Sequence, residues 1–117
     1  MNYNHLEEAG IDVKSLLDRL MGNESLVSRF LTKFIEDTNI TKLTEAVREK
    51  NPEDMLSASH MLKGMTGNLS ITPLYSLFSK QVELIRGGDL QGACDLMPEI
   101  SRTYNKAAEG IKLWLNR

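Results

Sequence analysis

Asn51-Pro52-Glu53-Asp54-Met55-Leu56-Ser57-Ala58-Ser59-His60-Met61-Leu62-Lys63-Gly64-Met65-Thr66-Gly67-Asn68-Leu69 is the stretch that decides the fold. It opens as a helix does: an asparagine to cap free N–H groups, a proline at the first helical position, then two acids where the helix dipole favours them. At about 100° per residue, Met55, Ala58, Ser59, Leu62, Met65, Thr66 and Leu69 gather on one broad side. His60, Lys63, Gly64 and Gly67 gather almost opposite. The spacing predicts a helix to about Leu69, with its apolar side in a core and His60 facing solvent.

Similar punctuation extends in both directions. Asp12 is a good N-cap ahead of Val13, Leu16, Leu17 and Leu20, and Gly22 ends that short helix. Asn23 caps the next, with Glu24 in its first turn and Val27, Phe30, Leu31, Phe34 and Ile35 along one side. Beyond Thr38 the apolar face moves to Ile40, Leu43 and Val47. Either the helix bends near Asp37-Thr38-Asn39, or one long helix meets different neighbours along its length. Thr72-Pro73 repeats the start signal and opens a helix to Arg86, Gly87-Gly88 breaks it, and Asp89 caps the last one. In that last helix Leu90, Ala93, Met97, Ile100, Tyr104, Ala107, Ile111 and Trp114 continue in steps of three and four across Pro98. A single kinked helix is expected there, short of the hydrogen bond to Cys94. No segment alternates as a strand does. The expected fold is all-α: an antiparallel four-helix bundle with a short extra N-terminal helix across one end.

A chain of 117 residues suits one domain over 1–117, and 41% apolar with 26% charged residues argues for a packed core over disorder. The net charge is -2, from 14 basic and 16 acidic residues scattered without a basic block, so no nucleic-acid partner is expected. No apolar run approaches the ~20 residues that span a bilayer. Met1-Asn2-Tyr3-Asn4-His5 lacks the basic start and apolar stretch of a secretory signal. A cytoplasmic protein with no membrane partner is the expectation, and Met1 ahead of a capped helix favours a freestanding one. Cys94, the one cysteine, falls at an apolar helix position and reads as a buried, inert thiol. His5, His60 and Cys94 stand at no paired ligand spacing, which argues against zinc. His5, near a mobile terminus, reads as a surface polar residue.

His60 differs from His5 in its neighbours. A glycine inside a helix costs about 1 kcal/mol relative to alanine, and Gly64 and Gly67 both lie on the histidine's side, away from the core. Their absent side chains would let another macromolecule approach the imidazole. Lys63, one turn on, puts an ammonium beside the ring, where it would offset the charge of a phosphoryl group. An imidazole with an ordinary pKa of about 6.5 is largely neutral and nucleophilic at neutral pH. Phosphoryl transfer asks a protein mainly for positioning and charge stabilisation. Leu56, one turn before His60, and Met61 are further candidates for a docking patch, whereas Met55, Met65 and Met97 read as core filler.

The run His60-x-Leu62-Lys63-Gly64-x-x-Gly67-Asn68-Leu69 resembles the signature of histidine-containing phosphotransfer (HPt) domains of multistep two-component phosphorelays. Phe30 and Phe34 upstream, the Val82-Glu83 step, Gly88-Asp89 and the long last helix also fall where that family has such features, so the resemblance covers about residues 11–115. It implies that His60 is the phosphorylated histidine, through Nε2, and that Lys63 is the basic residue near the phosphoryl group. Gly64 and Gly67 match the small residues that admit a receiver domain. The implied partners are receiver domains of response regulators and of a hybrid sensor histidine kinase. The implied protein is a monomeric carrier without nucleotide site, kinase activity or cofactor of its own, the Mg²⁺ belonging to the receiver. Two positions depart from the family. Ser70 stands where a glycine is common, and Val82 where some members place a glutamine near the imidazole.

Other readings fit less well. A helical adaptor without covalent chemistry explains the bundle but leaves Lys63 and the glycines around His60 unexplained. The phosphoacceptor part of a sensor kinase usually has an acid after its histidine, and Met61 stands there instead. A phosphate-binding loop fails too, because no Gly-Lys-Ser/Thr follows Gly64-Met65-Thr66-Gly67.

Overall fold

Side-chain caps cut the chain where the sequence predicts. The Asp12, Asn23, Asn51 and Asp89 side chains accept hydrogen bonds from the N–H groups of Ser15, Leu26, Asp54 and Gly92 at 2.8–3.1 Å. The computed structural model describes residues 2–117. These form α1 (Asn4–Glu8), α2 (Val13–Arg19), α3 (Glu24–Glu36), α4 (Asn39–Glu49), α5 (Pro52–Asn68), α6 (Thr72–Arg86), α7 (Leu90–Asp95) and α8 (Met97–Leu115). The described residues are all-helical apart from turns and one isolated antiparallel bridge, Ile11 to Ile71.

The choice left open near Asp37 falls to a break. Asp37 is extended, and its carboxylate accepts from the Asn39 N–H at 2.7 Å, which stops α3 and starts α4. The single kinked helix expected across Pro98 is instead two elements. Leu96 alone separates α7 from α8, because Pro98 has no N–H to return to Cys94. Thr72 is not a side-chain cap either; it is the first residue of α6, after Ile71. Helix α1 has no precedent in the sequence reading, and it removes His5 from a mobile terminus. Its Leu6 is fully buried.

The molecule measures 44 × 22 × 19 Å. Helix α5 packs between α4 and α6, while α8 meets α1, α3, α6 and α7. A large apolar cluster holds Leu16, Leu31, Phe34, Leu62, Phe78, Ile100 and Trp114 among others. A smaller one gathers Ala46, Met55, Ile85 and Ala93. Tyr104 lies tilted against Phe34, ring centroids 5.5 Å apart. Its phenol is held above the ordinary range by burial and then by the Asp37 carboxylate, so it stays neutral.

Helix α2 is clasped to the α5–α6 turn. The Asp12 N–H donates to the Ser70 carbonyl at 2.9 Å, the Thr72 N–H to the Gly10 carbonyl at 3.2 Å, and the Ser15 and Ser70 hydroxyls bond at 3.0 Å. Ser70 has φ of 56°, in the left-handed region that glycine enters without strain. That explains why a glycine would suit the position, and the hydroxyl bond gives serine a reason to be there.

Next to this clasp α1 lies tightly on α8. A Cβ on Gly110 would sit 2.6 Å from the His5 carbonyl oxygen and 2.7 Å from Ala9 Cβ. Trp114, fully buried, stacks with Tyr3 at 5.9 Å between centroids, and the Arg117 guanidinium lies 3.6 Å over its ring. Arg117 also pairs with Glu24. Helix propensity alone would favour Gly110→Ala by about 1 kcal/mol. Because backbone and Cβ block the space, the variant is expected to lose about 1–3 kcal/mol by overpacking, measured as a lower melting temperature with faster amide exchange in α1.

Candidate functional site

His60 sits on the open side of α5, exposed, while the next residue back, Ser59, is fully buried. That contrast is the 100° step of the helix made visible. Of the apolar side expected for α5, Met55, Ala58, Ser59, Leu62, Thr66 and Leu69 are buried and Met65 is half-buried. Beside His60 runs an open groove of about 590 Å³. Lys63, Gly64 and Gly67 line it with His60, and α2, α6 and the turn between α5 and α6 close its far side through Ser15, Arg19, Ser70 and Tyr75. All four residues of the expected site are therefore brought together.

Neither ring nitrogen of His60 nor the Lys63 ammonium has a hydrogen-bond or ion-pair partner among the described residues. Both ring nitrogens are thus open to a partner, with a cation one turn away and no internal competitor. The geometry offers an anion attached to the ring both space and a counter-charge. Among the described residues no three His, Cys, Asp or Glu side chains group as metal ligands, and no helix is long and apolar enough to cross a membrane.

The two glycines separate. Nothing lies within 4 Å of where a Gly64 Cβ would stand, so that position faces open space. At Gly67 a Cβ would stand 3.0 Å from two ring atoms of Tyr75. The expectation that no internal packing explains the glycines is thus corrected for Gly67, whose missing side chain lets the Tyr75 ring lie against α5. Leu56 is half-buried, with part of its side chain packed against the smaller apolar cluster. Met61, at 52% exposure, remains outside the core.

Three residues of this region escaped the sequence reading. Gln81 is fully buried one position before Val82, and its Oε1 accepts from the Ser59 hydroxyl at 2.8 Å, not from His60. Its amide donates to the Ala93 carbonyl at 3.0 Å and toward Met97 Sδ at 3.3 Å. The signal was present, since Gln81 falls within the stripe of Leu74, Phe78 and Ile85 at helical spacing. Tyr75 and Arg19, whose Nη1 donates to the Gly67 carbonyl, gave no such signal, because their roles arise only from tertiary approach.

Compared with family models, curated proteins and solved structures, the chain matches none.

The difference between the glycines is measurable. Gly64→Ala should stabilise the fold by up to ~1 kcal/mol, as an open helix interior allows. Gly67→Ala should gain less, because the Tyr75 ring must shift. In a Tyr75→Ala background, chemical melts of the two glycine variants should converge.

Proposed function

We propose that this chain is a histidine phosphocarrier of a two-component phosphorelay. His60 would accept a phosphoryl group from the aspartyl phosphate of one receiver domain and pass it to an aspartate of another. The observation that carries this reading is the open ground around the ring. An exposed, unpartnered imidazole stands one turn from a glycine whose absent side chain meets nothing in the protein. A helix interior bears the cost of such a glycine without internal return, which suits a surface kept clear for another protein.

The chemistry balances without a further reactant. A neutral ring nitrogen of His60, Nε2 in this reading, attacks phosphorus in line, the N–P bond forms, and the acyl P–O bond breaks. The receiver's aspartate leaves as carboxylate, and the proton on the other ring nitrogen stays in place. The reverse step on a second receiver regenerates imidazole. Lys63 would offset charge on the equatorial oxygens. Mg²⁺, where the receiver binds it, belongs to the partner. The protein would act as a cytoplasmic monomer without nucleotide or cofactor of its own.

The same reading makes the long helices an antiparallel four-helix bundle of the HPt kind, with α1 and α2 added at the N-terminal side. The sequential packing of α4 on α5 and α5 on α6, and of α8 on α3 and α6, supports it. The clasp at Ser70 supports it as well, since the left-handed turn falls where that family often has glycine.

Incubation with a phosphorylated receiver and Mg²⁺ should give acid-labile, base-stable phosphate on the parent and none on His60→Gln, and ATP alone should label neither. Phosphate on the glutamine variant would move the acceptor elsewhere, and an unlabelled parent would leave an adaptor. Lys63→Ala should keep its stability within ~0.5 kcal/mol while transfer slows; an unchanged rate in quenched-flow would remove the ammonium from the mechanism. Gly64→Gln should melt normally and transfer more slowly than Gly64→Ala, since the larger side chain stands in the partner's path.

A further inference from the structure

We infer that Arg19 is a docking residue of the His60 face, one that takes a carboxylate on the surface of the receiver; this rests on the phosphocarrier reading. Arg19 ends α2, and its Nη1 donates to the Gly67 carbonyl, which also accepts the Ser70 N–H at 3.2 Å. The guanidinium is thereby fixed over the last turn of α5. It has five N–H donors in a planar fork, and no carboxylate pairs with it among the described residues. A cation anchored in this way is oriented and not neutralised.

Position decides which anion it serves. Gly67 lies seven residues beyond His60 on α5, which is about 10 Å along the helix axis. A guanidinium held on the Gly67 carbonyl is too far along the helix to touch a phosphoryl group on the His60 ring, and Lys63 already stands one turn from that ring. Arg19 also lines a second groove of about 440 Å³, beside Leu20, Phe30, Lys33 and Met65. It stands where the two grooves meet, together with Asn68.

Charge points to the partner. The chain as a whole carries -2, yet the two grooves present Arg19, Lys33 and Lys63 against one acid, Asp12. The Asp12 carboxylate is engaged by the Ser15 N–H. A basic face on an acidic protein selects an acidic protein surface and steers its approach. Because α2 is clasped to Ser70, the Arg19 fork is held ready for a carboxylate before the partner arrives.

The test compares a protein donor with a small one. Purified protein is labelled either by phosphoramidate, which needs no docking, or by the fastest-exchanging receiver in a panel of purified phosphorylated receiver domains. Parent, Arg19→Gln, Arg19→Glu and Arg19→Lys are compared at low and high salt, with melts of each. Arg19→Glu should slow exchange with the receiver about tenfold more than it slows labelling by phosphoramidate, through KM and not kcat, with a flatter salt dependence. Arg19→Lys should recover part of the loss. If Arg19→Glu fails to fold, Arg19→Gln carries the comparison. A KM unchanged in a folded variant, or equal losses with both donors, overturns the docking role and leaves Arg19 as a cap on α5. A parent labelled by phosphoramidate that exchanges with no receiver overturns the relay between receivers, and the docking surface with it. A parent labelled by neither overturns the phosphocarrier reading, and this inference with it.

Discussion

Ser59 and Gln81 meet in the interior at 2.8 Å, and the Gln81 amide reaches on to the Ala93 carbonyl. Both side chains are wholly buried. A polar group so placed costs about 1–3 kcal/mol if its partner is lost, so α5, α6 and α7 have little freedom to rotate or slide against each other. The bridge falls between members of the larger apolar cluster, Leu62 and Phe78, and members of the smaller one, Met55 and Ile85. Apolar contacts alone tolerate a shift of register; this contact does not. Since His60 is the residue after Ser59, fixing the serine inward fixes the imidazole outward.

The candidate reactive side chains and the core consequently occupy different sides of one helix. The buried side of α5 holds the core and carries no candidate reactive group. Its open side holds His60, Lys63 and Gly64 and bears little of the packing. A group added to the His60 ring would displace no internal hydrogen bond, so loading and unloading would ask for no rearrangement of the fold. The clasp of α2 on the α5–α6 turn supplies part of the groove's other wall, beside Tyr75 of α6. Two of its bonds are backbone bonds that a side-chain substitution leaves in place.

How much of this was legible follows from which forces were local. The caps at Asp12, Asn23, Asn51 and Asp89 act within one turn, and each is where the sequence placed it. The facing of α5 follows from period alone. Helix α1 was not legible, because five residues with one large apolar side chain form a helix only when α8 is there to cover Leu6. The apolar steps across Pro98 suggested continuity, since they report which side is buried and not whether the backbone bonds persist. Gly67 looked like Gly64 because a sequence shows a missing side chain without showing what fills the space. Arg19 gave no signal for the same reason: the carbonyl it reaches lies on another helix.

The single indole of this protein is packed between Tyr3, α1 and the Arg117 guanidinium. It does not line the groove beside His60. Its emission is therefore a local gauge of the end where α1 docks on α8, shifting to the red when that end opens and water reaches the ring. A partner settling on the groove without opening that end would leave the ring buried and its emission maximum in place. Intrinsic fluorescence will follow unfolding of this end of the molecule, and contacts made at the groove call for a reporter placed on that side.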